Sequence, residues 1–232
     1  MTWPALKEFN CPLCSKVVKA YAVVTTNTFG GGDSEMRSYA VGFDSLRFSL
    51  YTCGSCGYTD YFYNLYKPLT DEQVKRIRKY LDTVPLGTIS HLSGYAPYVQ
   101  GEERYALSKH KLLINILKIR EAESVDIAKA CLEGAWIADD VADEENEHLK
   151  RELREEALKY FERALKNREV QDKSETASII YLVGELYRRL GKFNRAIDYL
   201  SMVRHGENWL KEIARKQIQR AKKKDSSLIK FK

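Results

Sequence analysis

Two cysteine pairs, Cys11-Pro-Leu-Cys14 and Cys53-Gly-Ser-Cys56, constrain this chain more than any other feature. Four soft sulfur donors in two C-x2-C steps suit a tetrahedral ion, and Zn2+ bound by four thiolates is the usual structural answer. Gly54 lies within the second pair and Gly57 follows it, where a tight turn aims backbone N–H groups at the sulfurs. The sequence therefore predicts one structural Zn2+ on Cys11, Cys14, Cys53 and Cys56. The pairs stand further apart than the usual spacing of about 15–20 residues. A redox reading of C-x-x-C needs a helix directly after the motif. Here Val17–Val24 follows, rich in β-branched residues, and reads as a strand.

The N-terminal residues lack the charged start and apolar run of a secretory leader, and no stretch approaches the ~18 apolar residues of a membrane span. The expected location is the cytoplasm, where thiols stay reduced and free to hold metal, and no membrane partner is expected. The formal net charge is +6 and unevenly spread. Residues 139–156 carry nine acidic side chains against three basic, and residues 201–232 carry ten basic against three acidic. The simplest reading of both runs is a solvated helix face.

The pattern divides the chain into a small zinc-ribbon-like β module over 1–69, a helix and packed irregular connector over 70–101, and a helical domain over 102–232. In the β module, Lys16–Thr26, Arg37–Val41 and Arg47–Thr52 read as strands, with Gly30-Gly31-Gly32-Asp33-Ser34 as a solvent-exposed hairpin loop. No Gly-Lys-Ser/Thr step follows the glycines, so they do not read as a phosphate loop. A module this small buries little apolar surface, so the metal should contribute to its folding. Thr70-Asp71-Glu72-Gln73 is a capping box that opens a helix to about Leu81. Pro85, Gly87, Gly94 and Pro97 then break any regular element.

From about Glu102 the apolar period is helical, and six helices follow to near Lys224. Within them, Ile180-x2-Val183-Gly184-x2-Tyr187, Leu190-Gly191-x-Phe193 and Ala196-x3-Leu200-x2-Val203 match a tetratricopeptide repeat. Gly184 and Ala196 are expected to face each other across the helix pair, and Gly191 to end the first helix in a left-handed cap. Ala157-x3-Phe161-x2-Ala164 suggests an earlier, degenerate repeat. The predicted fold is thus α+β and mostly α, a β zinc-ribbon-like head followed by a tetratricopeptide-like α-hairpin array.

The order Cys11-Pro12-x-Cys14, then Tyr51-x-Cys53-x-x-Cys56-Gly57-Tyr58, then Arg104-Tyr105-Ala106-Leu107 and Ala135-Trp136, resembles domain-of-unknown-function family 2225 of prokaryotes. The resemblance runs from about Phe9 to Leu200. It implies a zinc-ribbon-like head joined to tetratricopeptide-like helices, and it implies no activity or substrate.

The remaining chemistry-bearing residues read mostly as structure. Cys131, beside Ala130 and Leu132, reads as a small buried hydrophobe. His91, His110, His148 and His205 are scattered, without metal-ligand spacing. Tyr58, Tyr61, Phe62, Tyr63 and Tyr66 read as a packing face rather than a stacking platform for bases. The basic residues Arg215, Lys216, Arg220, Lys222, Lys223 and Lys224 are candidate nucleic-acid contacts, set against a frayed, solvated helix end. No acid–base or nucleophile constellation is visible, so catalysis is not expected. The leading expectation is a zinc-containing adaptor that takes a peptide or helix of another protein in the groove of its helical array. The alternative is a nucleic-acid-associated factor that uses the ribbon and the basic tail.

Overall fold

The computed structural model describes residues 3–85, 87–88, 103–141, 146–204 and 206–231. The architecture is α+β and mostly α, with seven α-helices and three short strand pairs among the described residues. Contacts divide the chain into two compact units. The first comprises Met1–Phe29, Tyr39–Ala122 and Trp136–Asn146; the second comprises Gly30–Ser38, Glu123–Ala135 and Glu147–Lys232.

In the first unit, strands β1 (Trp3–Asn10) and β2 (Val17–Thr25) form an antiparallel hairpin, with Glu8 opposite Lys19 and ion-paired to it. The sequence missed β1, because Pro4 and the charged Lys7-Glu8 step dilute its alternation. Arg37–Val41 is no strand; only Ser38 makes a bridge, to Gly32. Ser45–Phe48 is a 3-10 turn capped by Asp44, so the strand predicted from Arg47 shrinks to Leu50–Thr52. Here local capping overrides β propensity. Leu50–Thr52 is β4, following in chain order β3 (Gly32–Asp33) of the second unit, and it pairs with β5 (Thr59–Tyr61). Both strands are buried on both faces, which removes the expected alternation.

Helices α1 (Asp71–Leu81) and α2 (Glu103–Ile119) belong to the same unit. The capping box is present as predicted: Thr70 Oγ1 accepts from Gln73 N, and Gln73 Oε1 accepts from Thr70 N. Ile77 and Leu81 of α1 and Ile116 of α2 pack into one core with Leu13, Val18, Ala20, Tyr51 and Tyr58. A buried ion pair ties strand to helix, with Arg120 Nη1 2.7 Å from Asp60 Oδ2. Tyr58 and Asn64 donate to the same carboxylate, so it is well satisfied. The connector residues Leu86, Ile89, His91, Leu92, Tyr95 and Tyr98, and His205, lie outside the described residues.

The second unit holds α4 (Glu147–Asn167), α5 (Lys173–Arg189), α6 (Phe193–Ser201) and α7 (Asn208–Lys222). Helix α3 (Ser124–Asp140) contributes its first part here and its last part to the first unit. Each helix falls where the apolar period places it. Gly191 has φ of 76°, and Lys192 N donates to Tyr187 O, the left-handed ending that glycine permits. Tyr187 and Tyr199 stack, and both hydroxyls donate to Glu162 of α4, tying α4, α5 and α6 together.

Gly184 meets Leu200, one turn beyond the predicted Ala196. A Cβ at Gly184 would lie 2.7 Å from Leu200 Cγ and 3.0 Å from Leu200 N. Gly184→Ala is therefore expected to lose about 1–3 kcal/mol by overpacking, although alanine favours a helix. Urea denaturation reads this, and an unchanged midpoint would contradict the packing.

The glycine loop departs most from expectation. Asp33, Ser34 and Glu35 are buried among helices rather than exposed in a hairpin. β3 pairs antiparallel with β6 (Lys230–Phe231), the last strand of the chain. The loop closes on itself: Asp33 Oδ1 accepts from Glu35 N and Arg37 N, and Met36 N donates to Asp33 O. Such a turn buries its own amides without leaving them unpaired, which a solvent loop does not require.

Candidate functional site

The two cysteine pairs sit on matching turns. Ser15 N donates to Cys11 O and Cys11 N to Lys16 O. Gly57 N donates to Cys53 O and Cys53 N to Tyr58 O in the same pattern. The fifth residue of each turn has positive φ, Gly57 as the sequence suggests and Ser15 as its unsuspected counterpart. These turns fold each cysteine pair inward, and β2 and β4 hold the turns side by side.

The four Sγ atoms lie within 4.8 Å of one another. Cys11 and Cys56 sulfurs are 3.7 Å apart, as are those of Cys14 and Cys53. That is far beyond a disulfide bond of about 2.05 Å. It matches the edge of about 3.8 Å that four sulfurs at about 2.3 Å from a tetrahedral ion require. The four residues thus fit a metal ion. Cys11 and Cys53 are buried; Cys14 and Cys56 are partly exposed, and Cys56 borders a cavity of about 470 Å3 lined also by Leu13, Ser55 and Arg78. Arg78 Nη2 donates to Leu13 O and so fixes the first turn from α1.

Hydrogen bonds from Cys11 and Cys56 hold the Cys53 thiol down to about 2. The same bonding to Cys53 pushes Cys11 up to about 12, and bonding to Cys11 and Cys53 pushes Cys56 up as well. The mutual hydrogen bonding spreads the acidities of these thiols apart, and a dication binds by displacing the protons the sulfurs still hold. Around the cluster, Phe9 meets Tyr51 edge-on at 4.8 Å, and Tyr51, Tyr58 and Phe62 complete an aromatic wall. Tyr58, Tyr61 and Phe62 thus serve packing as predicted, whereas Tyr63 and Tyr66 stand exposed.

Cys131 is fully buried, with its Sγ 3.8 Å from Glu156 Oε2. His110 is buried with Nδ1 against Ala106 O, and His148 is exposed beside Glu152. Lys216 pairs with Glu212, and Arg220 with Asp225. Lys222 and Lys224 instead line a cavity of about 540 Å3 with Lys192 and Arg195. The helix end is tied rather than frayed, because Lys224 N and Asp225 N donate back into α7.

Sequence reasoning missed a second constellation, on the polar face of α5. Tyr181, Glu185 and Arg188 share one side at i, i+4, i+7. Tyr181 OH donates to Ser34 O at 2.8 Å. Arg188 donates from Nε and Nη2 to the Glu185 carboxylate, from Nη1 to Asp225 O and from Nη2 to Ser227 O, and Arg189 donates to Ser226 O. Glu35 takes two bonds from Arg154 of α4, at 2.7 and 2.9 Å, and one from Arg189 at 3.1 Å. Glu35 and Arg154 are 119 residues apart, so no local pattern announces them.

Comparison with curated proteins and with solved structures gives no match. The family of uncharacterized proteins conserved in bacteria, domain-of-unknown-function family 2225, matches residues 5–227, and the chain belongs to that family.

Proposed function

We propose that the protein is a non-catalytic adaptor: the sulfur cluster holds a structural Zn2+, and the tetratricopeptide-like helices take a segment of another protein. The observation that carries this reading is the polar face of α5. Its side chains hold main-chain carbonyls of Ser34, Asp225, Ser226 and Ser227 from two separate stretches of chain. Donors aimed at backbone carbonyls grip a peptide whatever its side chains, which is the chemistry peptide capture uses. Four thiolates close a tetrahedron, and soft sulfur donors favour zinc, so the metal would hold the first unit together without an open coordination position. A cytoplasmic location suits both reduced thiols and such a role. Among the described residues, no helix is long and apolar enough to cross a membrane.

A second reading, nucleic-acid association, draws on the basic cavity formed by Lys192, Arg195, Lys222 and Lys224. Fluorescence anisotropy with single- and double-stranded oligonucleotides at near-physiological salt separates the two. The adaptor reading expects weak binding that collapses as salt rises. Charge reversal, Lys222→Glu with Lys224→Glu, is the right control. Truncating the tail would also remove β6 and the carbonyls that Arg188 and Arg189 hold. In parallel, affinity purification from the native host is expected to retain a protein partner after nuclease treatment. Tight oligonucleotide binding lost on charge reversal, with nuclease-sensitive capture, would overturn the adaptor reading.

A further inference from the structure

The glycine loop returns to the chain path of the first unit at both its ends, yet its middle belongs to the second unit. Gly30 and Gly31 precede the buried residues, and Ser38 and Tyr39 follow them. The middle makes the contacts a bound ligand would make. Its backbone is read once, by Tyr181 at Ser34 O. Its edge is extended by β6, and Ser34 N also donates to Ile229 O. Its Glu35 carboxylate, buried like Asp33, sits in a seat built from Arg154 and Arg189 on two helices. The turn that presents Glu35 is closed internally by Asp33, so the loop arrives preshaped.

We propose that this face of the second unit is a binding site for an acidic turn, and that Asp33–Arg37 is its tethered occupant. The proposal rests on the adaptor reading and names its partner class: a protein segment with a glutamate at the tip of a tight turn, its carboxylate entering the Arg154–Arg189 seat. A bidentate arginine recognises a planar carboxylate, which selects Glu or Asp over neutral side chains. The tether gives the chain's own loop a high effective concentration, so an outside segment enters only when the loop has left.

The test uses the full chain and a variant in which residues 31–37 are replaced by a Gly/Ser stretch of equal length. The probe is a fluorescein-labelled synthetic peptide of residues 29–39. The loop-replaced chain is expected to bind the peptide at least about a hundredfold more tightly than the parent does. The Glu35→Gln peptide is expected to bind at least about tenfold more weakly than the native peptide. If the loop-replaced chain melts early, saturating peptide is expected to raise its Tm, as any ligand of the folded form does. A folded variant that ignores the peptide would overturn the proposal. So would an unfolded variant that the peptide does not rescue, because the loop would then be a plain part of the core. Nuclease-resistant capture of a protein by the parent chain reads the adaptor role separately, so failure of the proposal is told apart from failure of that role.

Discussion

Cys53→Ser is expected to abolish metal binding and to unfold the whole first unit, including α1 and α2. The sulfur belongs to the same core as Ile77, Leu81 and Ile116, so the damage extends beyond the β strands. Structural zinc contributes roughly 10–16 kcal/mol of apparent binding free energy in small metal-folded domains. A domain's net stability is about 5–15 kcal/mol, so losing the ion leaves too little to hold the unit. Helices α4–α7 lie in the other unit and should keep much of the helical circular dichroism. Elemental analysis with proton NMR reads both outcomes. A variant that kept one metal per chain and dispersed signals from Tyr51 and Tyr58 would contradict this account.

Glu35→Ala is expected to cost about 3–5 kcal/mol, because it strands Arg154 in the interior without its carboxylate. Arg189, more exposed, relaxes toward solvent and contributes less. A double-mutant cycle with Arg154→Ala, read by chemical denaturation, should show strong coupling. A loss under about 1 kcal/mol would mean the pair carries little. The pH dependence has a definite sign. Burial pushes the Glu35 carboxyl up, but Arg154 and Arg189 outweigh it and hold it below its ordinary value. Its contribution is therefore complete above the unfolded carboxylate range near about 4.3, and is lost as pH falls through the lower folded value. Glu185 runs the other way: burial raises it despite Arg188, so it favours stability at low pH and loses that contribution as pH rises. Glu35→Gln should flatten the acid side of the parent's stability profile.

The sequence carried the features that local chemistry encodes. The C-x2-C steps, the Thr70–Gln73 box, the six C-terminal helices and the Gly191 cap each depend on residues within a turn or two of one another. The cysteine site spans 39 to 45 residues between its sulfur contacts, yet was legible because sulfur pairs are chemically unambiguous. The buried loop was not. Gly30-Gly31-Gly32-Asp33-Ser34 has the composition of a solvent turn, and the partners that make its burial favourable, among them Arg154, Arg189, Tyr181 and strand β6, lie far along the chain. In the basic tail the partners are local, Glu212 four residues from Lys216 and Asp225 five from Arg220, so part of its charge is taken up within the run itself.

The adaptor account depends on the sulfur cluster being a closed structural site rather than a reactive one. X-ray absorption at the metal edge, on protein purified natively under reducing conditions, tests this most directly. The account predicts one Zn2+ per chain with four sulfur neighbours at about 2.3 Å and no oxygen or nitrogen neighbour. Three sulfurs with a light fourth ligand would reveal an open position beside the Cys56 cavity, and that result would contradict it.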